Sequence, residues 1–373
     1  MIYLDAAATS FQKPRTVAAA MSRALQSCAS PGRGGYPQAM MAADKVLDCR
    51  LALAALFHVP EPEQVVLTTN ATHGLNIAIR DLVRPGDRVV LSGYEHNAVL
   101  RPLHDLRADM VVVRTPVFDA EAALSAFQKA IPGAAACICT HVSNVFGNIF
   151  PIEEIGACCR EYGVPFIVDA SQSAGVLPLD FQRLGACYVA MPGHKGLMGP
   201  QGTGVLLCGR TPKYLMSGGT GFDSRNREMP DFLPERLEPG TQNIPGIAGL
   251  LEGVRFVQAK GQGRILTHER RLIRRLAQLL GEAGGGRPVL AEDPRQQGGV
   301  LSVLHPRRDC EAVAAALGRA GVCTRAGLHC APLAHETAGD LDRGSLRFSV
   351  SGLNTEQEIR QAGEIYRKAV TKM

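Results

Sequence analysis

Nowhere in the 373 residues is there a run of five like charges, a stretch of about 18 apolar residues, or a Walker-type GxxxxGK[ST] loop. The first absence, with a net charge of only +5, argues against nucleic acid or acidic lipid as the main partner. A basic site for a small anion stays open, since that needs only local charge. The second absence predicts no membrane helix, and the third excludes a P-loop nucleotide site. The start, MIYLDAAATSFQKP, carries Asp5 and no apolar core segment, so it does not read as a signal peptide. Eleven cysteines are present, yet none has CxxC spacing: Cys137 and Cys139 alternate on an expected strand, and Cys158 and Cys159 are adjacent on an expected helix. No structural metal site is expected from them. Free thiols in a reducing cytoplasm are the expectation. There is also no internal repeat and no low-complexity tract.

What is present is the composition of a folded protein, 46% hydrophobic and 20% charged, which excludes disorder and fibrous architectures. A chain this long buries most of the surface its unfolded form exposes. Between residues 64 and 208, short apolar runs alternate with helical patterns. The runs are 64–69, 88–92, 110–114, 136–142, 165–170, 187–191 and 203–208. Their unbroken Val/Ile/Leu character predicts strands buried on both faces. Helices are predicted over 119–130 and over 152–163, the latter closing on Gly163. Seven strands with helices between them make an α/β fold with a mostly parallel, doubly wound sheet. Ligands of such a sheet sit beyond the carboxyl ends of its strands. After residue 245 one long basic helix is predicted over 248–283, with the arginines of 264–275 as its solvated face. A strand over 298–305, a helix over 310–321, a strand over 347–350 and a terminal helix from Thr355 predict a smaller α+β domain.

Four features fall at carboxyl ends of the predicted strands. Lys195 sits in the glycine-rich turn of MPGHKGLMGPQGTG, where glycines let backbone approach a ligand. A lysine of lowered pKa there can form a Schiff base with a carbonyl, against the plainer reading of a surface turn. Asp169 ends the strand of FIVDASQSAG, with Gln172 three residues on. It can face the ring nitrogen of pyridoxal phosphate, or cap the next helix. TTNATHGLN (68–76) opens a helix whose first N–H groups, beside Thr72, make a phosphate cradle. His96, in GYEHNAVL, is a stacking ring or a proton shuttle if it is more than a loop histidine.

The order YLDAAAT (3–9), NATHGLN (70–76), YEHNAV (94–99), HVSNVFGN (141–148), VDASQSAG (168–175), GHKGLMGPQGTG (193–204), EPGTQN (238–243) and RAGLHCAPLAH (325–335) resembles the cysteine desulfurases. These are pyridoxal 5'-phosphate enzymes of the class V aminotransferase family. The likeness covers nearly the whole chain and points to the branch with a short RxGxHCA loop, which also includes selenocysteine lyases. It implies fold-type I: a seven-stranded, mostly parallel sheet domain over 14–250, and a small α+β domain from 1–13 and 251–373. By the same resemblance Lys195 is the Schiff-base lysine, Asp169 the partner of the pyridine nitrogen, and Gln172 the partner of the phenolate oxygen. His96 stacks on the ring and moves protons, while Ala71, Thr72, His73 and His194 surround the phosphate. Asn144 touches the cofactor or substrate, Arg325 and Arg347 bind substrate, and Gly240 and Thr241 reach the phosphate of a neighbouring subunit, which implies a homodimer. Two positions depart from the family pattern. Pro192 stands where a phosphate-binding hydroxyl is common, and His73 where a glutamate is common in the short-loop branch.

Cys330 separates a desulfurase from other class V enzymes. Its loop carries Arg325, His329 and His335, a setting expected to favour a thiolate; the other ten cysteines read as buried packing residues. The expected reaction converts L-cysteine to L-alanine and leaves sulfur on Cys330 as a persulfide for an acceptor protein. Iron–sulfur clusters, tRNA thiolation and cofactor sulfur are alternative destinations. L-selenocysteine is the alternative substrate, as in a selenocysteine lyase. Another class V lyase or aminotransferase would not need Cys330, and a non-catalytic thiol scaffold would carry no chromophore.

Overall fold

The seven apolar runs fold into one sheet in the computed structural model, which describes residues 1–32 and 34–372. After the short β1 (Ile2–Tyr3), the strands of that sheet are β2 (Val65–Thr68), β3 (Arg88–Ser92), β4 (Asp109–Val113), β5 (Ala136–Thr140), β6 (Phe166–Asp169), β7 (Tyr188–Pro192) and β8 (Gly204–Cys208). Their spatial order is β2-β8-β7-β6-β5-β3-β4. Neighbours from β7 through β4 pair in parallel, while β8 runs antiparallel to both β7 and β2. Every residue of β2, β5, β6, β7 and β8 is buried. Helices covering both faces account for the unbroken apolar runs. One face carries α1 (Arg15–Ser27) and α2 (Pro37–Phe57), and the other carries α3 (Ala71–Leu82) and α4 (Asn97–Asp105). The helices α5 (Ala120–Ala130), α6 (Ile152–Glu161) and the single turn α7 (Phe181–Leu184) join the first face.

The long helix predicted over 248–283 is two helices, α8 (Ile244–Lys260) and α9 (Gln262–Ala283). Gly261 divides them at φ 82° and ψ 124°, well outside the helical basin. The break sends α8 onto α1 and α2 in the core of the large sheet, and α9 onto a second core. Nor is the arginine face of α9 purely solvated: Arg270 donates to the carbonyl of Gln297 and Arg271 pairs with Glu356.

That second core lies under a four-stranded antiparallel sheet built from β9 (Arg287–Val289), β10 (Val300–Leu304), β12 (Arg325–Gly327) and β13 (Ser345–Ser349), in the order β12-β13-β10-β9. Between them come α10 (Cys310–Arg319), β11 (Val322–Cys323) and α11 (Pro332–Ala338), and α12 (Glu356–Thr371) closes the chain, capped by Thr355. The first strand, β1, pairs in parallel with β11, so the amino terminus lies against residues more than three hundred positions later.

Two loops that follow adjacent strands lock together through glycine. Gly175, at φ 84°, ends the loop after β6, and Gly196 sits in the loop after β7. A Cβ on Gly175 would run into the carbonyl of Gly196, and one on Gly196 into the carbonyl of Ala174. Backbone-to-backbone contact therefore fixes Lys195 relative to Gln172. Gly196→Ala is expected to destabilise the fold by about 1–3 kcal/mol, as overpacking does elsewhere. Chemical denaturation checks this, and an unchanged midpoint would contradict the interlock.

Candidate active site

Beyond the carboxyl ends of β5, β6 and β7 the chain leaves a cleft of about 200 Å³. Ala71, Thr72, His96, Asn144, Asp169, Gln172, His194, Lys195, Arg325 and Arg347, all singled out from the sequence, line it. Segments far apart in the chain supply them, and each is held locally. The turn carrying Lys195 is closed by Met198 N–H on the Lys195 carbonyl (2.9 Å) and Gly199 N–H on that of Gly193 (2.8 Å). Ser10 anchors it from the amino-terminal segment, its N–H and its hydroxyl each 2.9 Å from the His194 carbonyl. Burial pushes the Lys195 ammonium down to about 8; Asp169 pulls it back up, while Arg347 and Arg325 push it further down.

Asp169 is 2% exposed at the end of β6, and its Oδ1 accepts the Ser171 N–H at 2.8 Å. This is a local turn rather than the helix cap that the sequence also allowed. His96 caps α4: its Nδ1 accepts the Ala98 N–H at 3.0 Å, so the neutral ring carries its proton on Nε2. Burial pushes the ring down to about 4, which keeps it neutral at ordinary pH. Gln172 donates to the carbonyl of Ala7 (3.0 Å), and His194 Nδ1 lies 3.0 Å from the Thr9 hydroxyl.

At the start of α3, Asn70 Oδ1 accepts the His73 N–H at 2.9 Å. The first-turn N–H groups of Ala71 and Thr72 lie ahead of the first intrahelical bond and face the cleft, which suits an anion. His73 does not join them. Its ring sits beside Thr69 and lines a neighbouring hollow with Thr241. Gly240 and Thr241 also lie outside the cleft within one chain, on a loop tied down by Glu238, whose Oε1 accepts the Leu67 N–H at 2.6 Å. Pro192 lines the cleft and has no hydroxyl to offer.

Arg347 is 1% exposed; its Nη2 lies 2.7 Å from Asp5 Oδ1, and its Nη1 donates to the Asn144 carbonyl at 3.0 Å. Arg325 faces it in register on the adjacent strand and donates to Cys330 Sγ at 3.5 Å. Cys330 alone of the eleven cysteines is exposed; Cys28, Cys187 and Cys323 are half-buried rather than buried. It stands at the rim, where Arg325 and His329 reach the cleft. His329 and Cys330 both adopt left-handed backbone, φ 53° and 58°. That conformation costs non-glycine residues about 1–2 kcal/mol each. It persists because both carbonyls are held: Asn144 Nδ2 donates to that of His329 and Asn97 N–H to that of Cys330, each at 2.8 Å.

Neither loop histidine hydrogen-bonds the thiol among the described residues. Burial pushes His329 down to about 2, and its Nε2 lies 3.1 Å from Ser345. His335 is fully buried, 3.0 Å from Asp340. Arg325 is the cation at the sulfur. Sequence reasoning also missed Asp5, which no local pattern ties to Arg347. It missed Glu95 as well, buried behind the cleft and pushed up to about 8 by that burial, with its Oε1 on Ser92 and on the Thr140 N–H.

The donor set fits pyridoxal 5'-phosphate: an amine for the carbonyl, a buried carboxylate for the ring nitrogen, and helix-start N–H groups for the phosphate. Lys195 makes no ion pair within 4 Å among the described residues, and Arg347 Nε is buried without a partner. Both await a ligand. Among the described residues no His/Cys/Asp/Glu group could hold a metal ion, and no helix is long and apolar enough to cross a membrane.

Comparison with known proteins agrees with this chemistry. The aminotransferase class-V family model matches residues 2–361. A probable cysteine desulfurase of Methanothermobacter thermautotrophicus is 32% identical, over 97% of this chain and 93% of the relative. The apo structure of the cysteine desulfurase from Thermococcus onnurineus superposes with a TM-score of 0.91 at 30% identity, covering 100% of this chain and 95% of that one. A cysteine desulfurase of Escherichia coli shares the fold at TM-score 0.86 and 23% identity, covering 100% and 95%.

The lowered Lys195 value sets a pH dependence. The amine is protonated below about 8 and free above it, so covalent attachment of pyridoxal 5'-phosphate to the apoprotein should quicken as pH rises through 8 and then level off. Stopped-flow absorbance measures this rate. Lys195→Ala should fold, yet borohydride should no longer fix the coenzyme to the chain; trapping that persists would remove Lys195 from this role.

Proposed function

Because the chain belongs to the class-V aminotransferase family, we propose that it works as a cysteine desulfurase, taking sulfur from L-cysteine onto Cys330. One observation carries this reading: the one exposed cysteine stands on a strained, doubly tethered loop, with Arg325 joining its sulfur to the lysine cleft.

Pyridoxal 5'-phosphate, when bound, supplies an electron sink for negative charge at the substrate Cα. Ala71, Thr72 and His194 would hold its phosphate end, Gln172 its phenolate oxygen, and Asp169 its ring nitrogen. Arg347 holds the substrate carboxylate, with Asn144 and Arg325 beside it. Lys195, as the free amine, takes the Cα proton. His96 is a neutral ring with its proton on Nε2, suited to stacking and to passing that proton. Cys330 Sγ, as the thiolate, then attacks the substrate sulfur. An S–S bond forms as the substrate Cβ–S bond breaks; the electron pair stays with the carbon skeleton, which takes up protons and leaves as L-alanine. Sulfur remains on Cys330 as a persulfide, which Arg325 is placed to pair with. Because Cys330 is at the rim, an acceptor protein can reach that sulfur.

The reading extends to a homodimer. Gly240 and Thr241 stand apart from the cleft of their own chain, as residues serving a neighbour's phosphate would. Met40, Leu47 and Leu51 of α2 and Phe222 and Phe232 of the 213–234 segment present exposed apolar surface for the subunit contact. Sedimentation velocity measures that state.

Cys330→Ser tests the sulfur step. Coenzyme binding and the spectral response to L-cysteine should survive, while persulfide formation falls to background, because a hydroxyl at neutral pH is almost wholly protonated. Mass spectrometry of the cysteine-treated wild type should find one added sulfur on the Cys330 peptide. Sulfur on the Cys310 or Cys323 peptide, or none at all, overturns the assignment.

A further inference from the structure

The arginine assigned to the substrate carboxylate is already paired with a carboxylate of the chain itself. Arg347 is buried and tied on its other side: 1% exposed, with Nη1 on the Asn144 carbonyl at 3.0 Å. Asp5 is the less deeply buried partner, with 19% of its side chain exposed. The backbone of Asp5 is fixed, since Tyr3 donates its hydroxyl to the Asp5 carbonyl and Asp5 bridges to Ser349. Its carboxylate makes no hydrogen bond other than the one to Arg347 among the described residues.

The contact is half of what a guanidinium can give. A carboxylate gripping a guanidinium edge takes two parallel N–H groups. On the Nε–Nη2 edge, Asp5 takes Nη2 alone, at 2.7 Å, and Nε is left buried with no partner. An arriving carboxylate that claims this edge gains the orphaned Nε–H, but must take Nη2 from Asp5.

Building on the reading of Arg347 as the carboxylate site, we propose that Asp5 is an internal placeholder for the substrate carboxylate. It holds Arg347 aligned in the resting enzyme and yields Nη2 when a small α-amino acid binds. Asp5 is thus a positioning residue that acts through Arg347. Because it returns to the same edge when the ligand leaves, it weakens the hold on any α-carboxylate, the product L-alanine included. Turnover gains from the exchange, since product retained by an unopposed buried arginine would block the next cycle.

The test is steady-state kinetics of holoenzyme with L-alanine as competing ligand. Asp5→Asn removes the competing charge, so the inhibition constant for L-alanine and the KM for L-cysteine should both fall, by about tenfold if one charged competitor is lost. Asp5→Glu restores a carboxylate and should move both constants back toward wild type. Asp5→Ser, with a small acceptor, is the second variant should the amide fail to yield holoenzyme; its expected direction is the same. Constants that stay unchanged or rise in these variants overturn the placeholder and leave Asp5 a structural tie. Arg347→Lys separates the two readings: if it leaves L-alanine inhibition untouched, the assignment of Arg347 itself fails, whatever Asp5 does.

Discussion

The cleft is organised around an amine whose charge burial disfavours and one carboxylate favours. Lys195 and Asp169 come from the ends of adjacent strands, and the attraction between them opposes the cost of taking an ammonium out of water. The balance leaves Lys195 near the point where it exchanges a proton easily, which both a nucleophile for a carbonyl and a base for a Cα proton need. The arginines enter the same balance. Arg347 and Arg325 push the lysine toward neutrality, while Asp5 acts against them. Groups that hold the substrate therefore also tune the amine, and the charge a ligand brings in changes both at once.

Rigidity at this point comes from backbone rather than from bulky side chains. The loop of Lys195 is pinned by Ser10 from one side and by the glycine contact with the loop of Gln172 from the other. The loop of Cys330 is held differently, by two hydrogen bonds that keep two residues in left-handed backbone. One anchor is meant not to move. The other is a pair of single bonds, and one of those comes from Asn144, whose own carbonyl steadies Arg347. The sulfur loop and the carboxylate site thus share a residue.

Much of this could be read from the sequence because the information is local. Seven apolar runs became seven strands, since strands buried on both faces leave an unbroken apolar signature. Lys195, Asp169 and His96 were legible because the carboxyl ends of such strands are where ligands bind. What escaped was non-local or conformational. The helix break at Gly261 hides among residues that suit a helix on either side, and only its divided packing reveals it. His335 looked like a neighbour of the thiol, yet the fold buries it against Asp340. His73 sits on the right turn, but α3 turns its ring toward Thr69 and the hollow of Thr241. The partnership of Asp5 with Arg347 spans 342 positions, and no spacing rule in one sequence reaches that far.

That last span has a consequence for how the molecule comes into being. Residues 2–9 leave the ribosome more than three hundred positions ahead of their partners. Ile2 pairs with Val322, Tyr3 gives its carbonyl to Asn354, and Asp5 meets Arg347. Domains tend to fold as they emerge, at about 5–20 residues per second. The large sheet, complete by Cys208, can form early. Its amino-terminal segment must then wait unpaired for many seconds of synthesis, until the small sheet closes over it. Since Ser10 on that segment anchors the turn of Lys195, the nascent chain holds no finished cleft to bind a reactive aldehyde before Arg347 has been made.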